Sequence, residues 1–188
     1  INSCCSVRYN DETKQLQASF FTFESREKMN NQKFYDKVGK INGWDFTHIE
    51  SFSEGVKWDF YQEVINRCLK TDVLLDIGTG GGENLLRIAP SLLFLVGIDL
   101  SNSMMEPAQS NLEKSTIPNV RFFQMSSAEL QFPARFFDIV SCCHAPFSTT
   151  EIAKVLKNDG WLLTEQVSEA DKLNIKKAFG RGQAYHQT

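Results

Sequence analysis

The five cysteines, Cys4, Cys5, Cys68, Cys142 and Cys143, include no CxxC pair and no zinc-like spacing, so neither a zinc ribbon nor a disulfide framework can be read from them. A reducing, cytoplasmic setting is the simplest expectation. The chain also lacks any apolar run near the ~20 residues that a membrane-spanning helix requires, and it shows no basic start followed by an apolar centre. No membrane partner is expected. Basic charge is not in excess: 20 Lys and Arg stand against 23 Asp and Glu, for a formal net charge of -3. Nucleic acid is therefore not favoured as a partner, because phosphate binding draws on clustered cations. Internal repeats and low-complexity tracts are missing too. What is present is a 188-residue chain with a 41% hydrophobic fraction, enough for one globular domain with a buried core.

Residues 1–28 mix polar side chains with Phe20, Phe21 and Phe23 without an amphipathic period. They are read as an N-terminal appendage, with Met29 a candidate start that would make them non-native. Residues 29–56 carry scattered aromatics, Phe34, Tyr35, Trp44 and Phe46, and are expected to form a cover segment. The main domain is assigned to residues 57–188. At its start Trp58, Tyr61, Ile65, Cys68 and Leu69 recur at intervals of three and four, as on a helix that packs one face on a sheet.

Beyond Lys70 strands alternate with helices. Residues 73–77, 93–100, 120–125, 136–142 and 161–167 read as strands, and residues 83–89, 104–114 and 169–179 as helices. Pro90 stops the first of these helices. Ser103 with Glu106, and Ser148 with Glu151, have capping-box spacing, the second pair opening a further helix through Ile152 and Val155. Asn158, Asp159 and Gly160 predict a turn. Such alternation implies an α/β fold, a doubly wound sheet paired in parallel through right-handed crossovers.

The segment with the most chemistry is Asp76, Ile77, Gly78, Thr79, Gly80, Gly81, Gly82 and Glu83, at the first strand-to-helix turn. Open α/β sheets bind ligands at this end of their strands. A dinucleotide fingerprint, G-x-G-x-x-G, would place a third glycine where this chain has Glu83. Its pyrophosphate would also meet Glu83 and Asp76, both acidic, at a helix N-terminus. A ligand carrying an ammonium and a sulfonium reverses the sign, and Asp76 then becomes a partner. Asp99, at the end of the second strand, is suited to accept hydrogen bonds from two ribose hydroxyls. That feature alone fits a nicotinamide dinucleotide equally well.

The runs VLLDIGTGGGENLLRIA, VGIDLSNSMMEPAQSNL, VRFFQMSSAELQFPARFFDIV and VLKNDGWLLTEQV, in that order, resemble the class I S-adenosylmethionine-dependent methyltransferases, particularly the small-molecule branch related to the UbiE type. The resemblance covers about residues 57–179. It implies a Rossmann-like sheet with parallel order 3-2-1-4-5, normally extended by a 7-6 antiparallel pair, and S-adenosyl-L-methionine as cofactor. Asp76, Gly78, Thr79 and Gly80 would contact the methionine part, Asp99 the ribose, and Leu100 the adenine. Ser126, Ser127 and Cys142 would complete the pocket. Relatives usually carry an acid followed by Ala where this chain has Ser126 and Ser127, so the adenine amino group would be held less strongly.

After the fourth strand comes Ser141-Cys142-Cys143-His144-Ala145-Pro146-Phe147, with no NPPY-like motif. His144 is the catalytic candidate, as a general base or a substrate-orienting group; the alternative is a hydrogen-bonded histidine that shapes the pocket. Cys142 and Cys143 read as buried packing, because no activated pair or ligand set is legible around them. Trp44, Trp58, Tyr35 and Tyr61 could form a lid, although Trp58 and Tyr61 follow the helical core face. The acceptor implied is a small molecule. The rival readings are a noncatalytic cofactor-binding domain and an NAD-dependent oxidoreductase.

Only eight residues follow Gly180, too few for the 7-6 pair. The expectation is a C-terminally incomplete domain whose fifth parallel strand exposes an unpaired edge and promotes self-association.

Overall fold

The computed structural model describes residues 3–8, 36 and 59–167. The predicted helix over 169–179, its glycine cap, and most of the cover segment lie outside the described residues. Strand β1 spans Ser3–Arg8, helix α1 Phe60–Arg67, and strand β2 Val73–Ile77. Helix α2 follows over Glu83–Ile88, passing at Pro90 into a 3-10 turn, Ala89–Ser91. Then come β3 (Phe94–Asp99), α3 (Asn102–Ser115), β4 (Val120–Gln124), β5 (Phe137–Cys143), α4 (Thr149–Val155) and β6 (Leu156–Gln166).

The strands form one sheet in the order β1-β6-β5-β2-β3-β4. The five from β2 to β6 are parallel and reproduce the expected 3-2-1-4-5 arrangement. Because β3 and β5 flank β2 on opposite sides, the winding direction reverses at β2, and a crevice opens beyond the carboxyl ends of the strands there.

The alternation of side chains along β2 divides the core in two. Leu74 packs with Phe60, Tyr61, Val64, Leu85 and Ile139 on one face; Leu75 and Ile77 pack with Ile98, Val140, Ile152 and Leu162 on the other. Asp76 falls on the face of Leu74, two residues nearer the crevice.

The expected unpaired edge beside the fifth parallel strand is corrected. β1 pairs antiparallel with β6, from Ser3 opposite Gln166 to Arg8 opposite Trp161. The backbone donors and acceptors of β6 thus find a partner from the opposite end of the chain, which is the general requirement for a sheet edge.

Local expectations differ from the structure in three places. Leu69 lies beyond the end of α1 and is exposed rather than part of its packing face. Helix α3 starts at Asn102 with Ser101 as its N-cap residue, so Ser103 sits inside the helix. The turn at 158–160 is absorbed into β6 as an irregularity: Phe137 pairs with Leu156 but Ile139 with Trp161, and Asp159 takes a φ of 62°. By contrast, Ser148 caps α4 as expected, accepting the Glu151 N–H at 3.3 Å.

Candidate active site

The β2–α2 loop is built around backbone that side chains would obstruct. Gly78 has a φ of 75°, and a Cβ there would stand 2.3 Å from the Ala145 Cβ. Gly78 and Thr79 donate to the Ile98 carbonyl at 2.8 and 3.0 Å, tying the loop to the tip of β3. Gly80, with a φ of 57°, faces open space. Its N–H donates to Asp99 Oδ2 at 3.1 Å.

Asp76 is 1% exposed. Ser141, its register partner on β5, donates to Asp76 Oδ1 at 2.6 Å, and the Tyr61 hydroxyl lies 3.5 Å from Oδ2. Burial raises the carboxyl pKa to about 6, against the stabilising hydroxyls of Ser141 and Tyr61, and the charge of Asp99 pushes the same way as burial. Burial also holds the Tyr61 phenol well above its ordinary range, with Asp76 adding to the effect. The Thr79 hydroxyl is close enough to favour the Asp76 anion, yet it is buried without completing a hydrogen bond. An unsatisfied buried group costs about 1–3 kcal/mol, which a ligand at the loop would relieve.

Asp99 accepts the Ser101 N–H at 2.9 Å through Oδ1 and the Gly80 N–H through Oδ2. Each oxygen keeps a lone pair for an outside donor. Its pKa is raised, first by burial, with Asp36 contributing. Asp36 reaches the site from the segment before α1, where its carboxylate accepts Ser101 Oγ–H at 2.7 Å and its carbonyl accepts Ser103 Oγ–H at 3.1 Å. The Leu100 carbonyl is held by Gln124 Nε2 at 3.1 Å.

The predicted residues after β4 and β5 are placed unequally. Ser127 donates to the Pro146 carbonyl at 2.8 Å, which joins the two loops; Ser126 Oγ accepts the Ala128 N–H at 3.3 Å. The Cys142 thiol lies in the core on the sheet face opposite Asp76, bonded to the Ala145 carbonyl at 3.1 Å. Burial pushes its pKa up to about 12, so it is an inert packing group. His144, with a φ of 58°, places Nε2 3.3 Å from Glu165 Oε1.

Three contributors were not assigned to the site from sequence, Ser141, Asp36 and Glu165, while Tyr61 is expected there only as a lid or core residue. Ser141 was discoverable in principle, since strand alternation and the parallel register put it beside Asp76. Asp36 belongs to no local motif, and Glu165, although inside the run VLKNDGWLLTEQV, carries no role that the run itself implies. Glu83, used in the sequence argument, folds over Gly81 and accepts from Asn111 Nδ2 at 3.0 Å.

The sequence profile described as a methyltransferase domain matches residues 74–160, the span holding every residue of the predicted site. By that match residues 74–160 are a methyltransferase domain. Over 112 residues it is 34% identical to YcgJ of Bacillus subtilis, an uncharacterized methyltransferase, covering 55% of this chain and 44% of YcgJ. The crystal structure of YcgJ superposes with a TM-score of 0.53, covering 56% of this chain and 49% of that one. The ubiquinone/menaquinone biosynthesis C-methyltransferase UbiE of Stutzerimonas stutzeri is 29% identical over 117 residues, covering 56% of this chain and 46% of UbiE. Phosphoethanolamine N-methyltransferase 2 of Haemonchus contortus, solved with S-adenosyl-L-methionine, shares the fold at a TM-score of 0.61 and 21% identity, over 84% of this chain and 41% of that one. The chain spans about half the length of the curated relatives it matches. No described helix of the methyltransferase domain is long and apolar enough to cross a membrane.

Proposed function

We propose that this methyltransferase domain binds S-adenosyl-L-methionine and transfers its methyl group to a small-molecule acceptor. The observation that carries the reading is the placement of Asp76 and Asp99 near the ends of adjacent parallel strands, joined through the Gly78–Gly80 backbone. The residues fit the group: a buried acid for an ammonium, a second acid with spare lone pairs for ribose hydroxyls, an orphaned Thr79 hydroxyl, and a glycine open to space. A pyrophosphate would instead have to approach two carboxylates.

When bound, the cofactor supplies a sulfonium-activated methyl group. Asp76 then holds the ammonium, Asp99 the ribose and Leu100 one side of the adenine, with Ser126 and Ser127 at its edge. His144 orients the acceptor or takes its proton at Nδ1, the ring nitrogen not turned toward Glu165, whose carboxylate lies 3.3 Å from Nε2 and sets the angle of the ring. Alignment of this kind is worth about 7–11 kcal/mol in favourable cases, so the reaction asks little else of the protein. A reducing cytoplasmic setting belongs to the same proposal, in which Cys68 and Cys142 are thiols not joined in a disulfide.

Calorimetry with S-adenosyl-L-methionine and with NADH tests the cofactor, and formation of S-adenosylhomocysteine with a cell extract tests turnover. Binding and turnover of the first, both lost in Asp76→Ala, are expected. Tight binding without turnover would favour a noncatalytic domain, and NADH binding alone would overturn the reading.

A further inference from the structure

Cys143, His144 and Glu165 form a cluster outside the cofactor contacts named above. Cys143 and Glu165 are register partners on the parallel strands β5 and β6, so their side chains leave the same face of the sheet, the face of Asp76 and Ser141. His144 follows Cys143 at once. Its φ of 58° is an uncommon conformation for a side-chain-bearing residue, and it turns the imidazole back toward Glu165, while its own N–H is secured by the Glu165 carbonyl at 2.8 Å. One ligand atom from each residue lies within 4.8 Å of the other two.

We propose that these three residues form a binding site for a divalent zinc-class metal ion, with the remaining coordination position open to the heteroatom of the methyl acceptor. The imidazole-to-carboxylate distance supports this. Two ligand atoms each ~2.1 Å from a tetrahedral zinc stand about 3.4 Å apart, and His144 Nε2 to Glu165 Oε1 is 3.3 Å. The donor set is thiolate, imidazole and carboxylate, which selects zinc over magnesium or calcium, ions that take oxygen ligands. Three protein ligands are the complement of a catalytic zinc site, whereas a structural site is closed by four. The surroundings favour a cation, since the acid Asp76 lies on the same face of the sheet. His144 keeps a 42% exposed side chain, which gives ion and acceptor a way in.

The site deepens the methyl-transfer reading by naming the acceptor class, a small molecule with a thiol or hydroxyl. Bound to the ion, that group loses its proton to water; its lone pair then forms the bond to the methyl carbon as the carbon–sulfur bond breaks and its electrons return to sulfur. The products are the methylated acceptor and S-adenosylhomocysteine.

Metal binding is tested on the full chain with cobalt(II) alone, which reports its ligands by absorption. The expected result is a thiolate-to-cobalt charge-transfer band with the strong visible bands of four-coordinate cobalt. Cys143→Ser should lose the charge-transfer band, and His144→Gln and Glu165→Gln should lose tight binding. Cys68→Ser should leave the spectrum unchanged, and far-ultraviolet circular dichroism should show each variant folded. Absence of the charge-transfer band, or its survival in folded Cys143→Ser, overturns the proposal. Calorimetry of metal-free chain with S-adenosyl-L-methionine separates the two readings: cofactor binding without a cobalt spectrum removes the metal site alone, and a cobalt spectrum without cofactor binding removes the methyl-transfer reading alone.

Discussion

At the scale of single residues, Asp76 shows how a site can be held against stability. A carboxyl whose pKa rises from 3.8 to about 6 on folding binds a proton in the folded state that the unfolded chain has already released. Between those values stability therefore falls as pH rises, and the loss persists above pH 6 in the absence of ligand. Two pKa units correspond to about 3 kcal/mol. Asp76→Asn is accordingly expected to raise the stability of the ligand-free protein at pH 7.5 by about 1–3 kcal/mol, measured by urea unfolding, while abolishing cofactor binding. For the same reason the affinity for S-adenosyl-L-methionine should weaken by about tenfold per pH unit below 6, as the acid that meets the ammonium is neutralised; calorimetry from pH 7.5 to 5 checks this. Ser141→Ala removes the 2.6 Å hydroxyl contact and should move that dependence to higher pH.

At the scale of elements, β1 is the least foreseeable part of the fold. Its sequence, SCCSVR, carries no strong strand signal, and its place follows from what β6 needs: eleven residues of strand whose outer edge would otherwise bond to water or to another chain. Deleting residues 1–8 should leave β6 exposed and produce concentration-dependent self-association, visible by sedimentation velocity. The opposite edge strand, β4, is short and carries the exposed Arg121, a guard against the same fate. Helix starts show a related limit. Ser103 has the spacing of a capping residue, but Ser101 takes the N-cap position and both hydroxyls serve Asp36, a residue more than sixty positions away. Where no distant partner competes, as at Ser148, the local rule holds.

At the scale of the whole molecule, the two packed faces of the sheet support one crevice, and anything that binds it selectively in the folded state must stabilise both. At a hundredfold excess over its dissociation constant, S-adenosyl-L-methionine should add about 2.7 kcal/mol to the unfolding free energy. Thermal unfolding with the cofactor, against NADH as the comparison, should show a rise for the first alone.

By itself the sequence determined the five parallel strands, the glycine turn and the acids at positions 76 and 99, while the order of the strands was implied by the family resemblance. These depend on periodicity and turn chemistry within windows of a few residues, which a chain carries wherever it is cut from context. Tertiary structure alone decided the antiparallel strand from the N-terminus, the Asp36 contact, and the meeting of Cys143 and His144 with Glu165. Each joins segments well separated in the chain, and the register that brings them together is set by how the sheet closes its edges and stacks its strands, a choice made by the assembled fold.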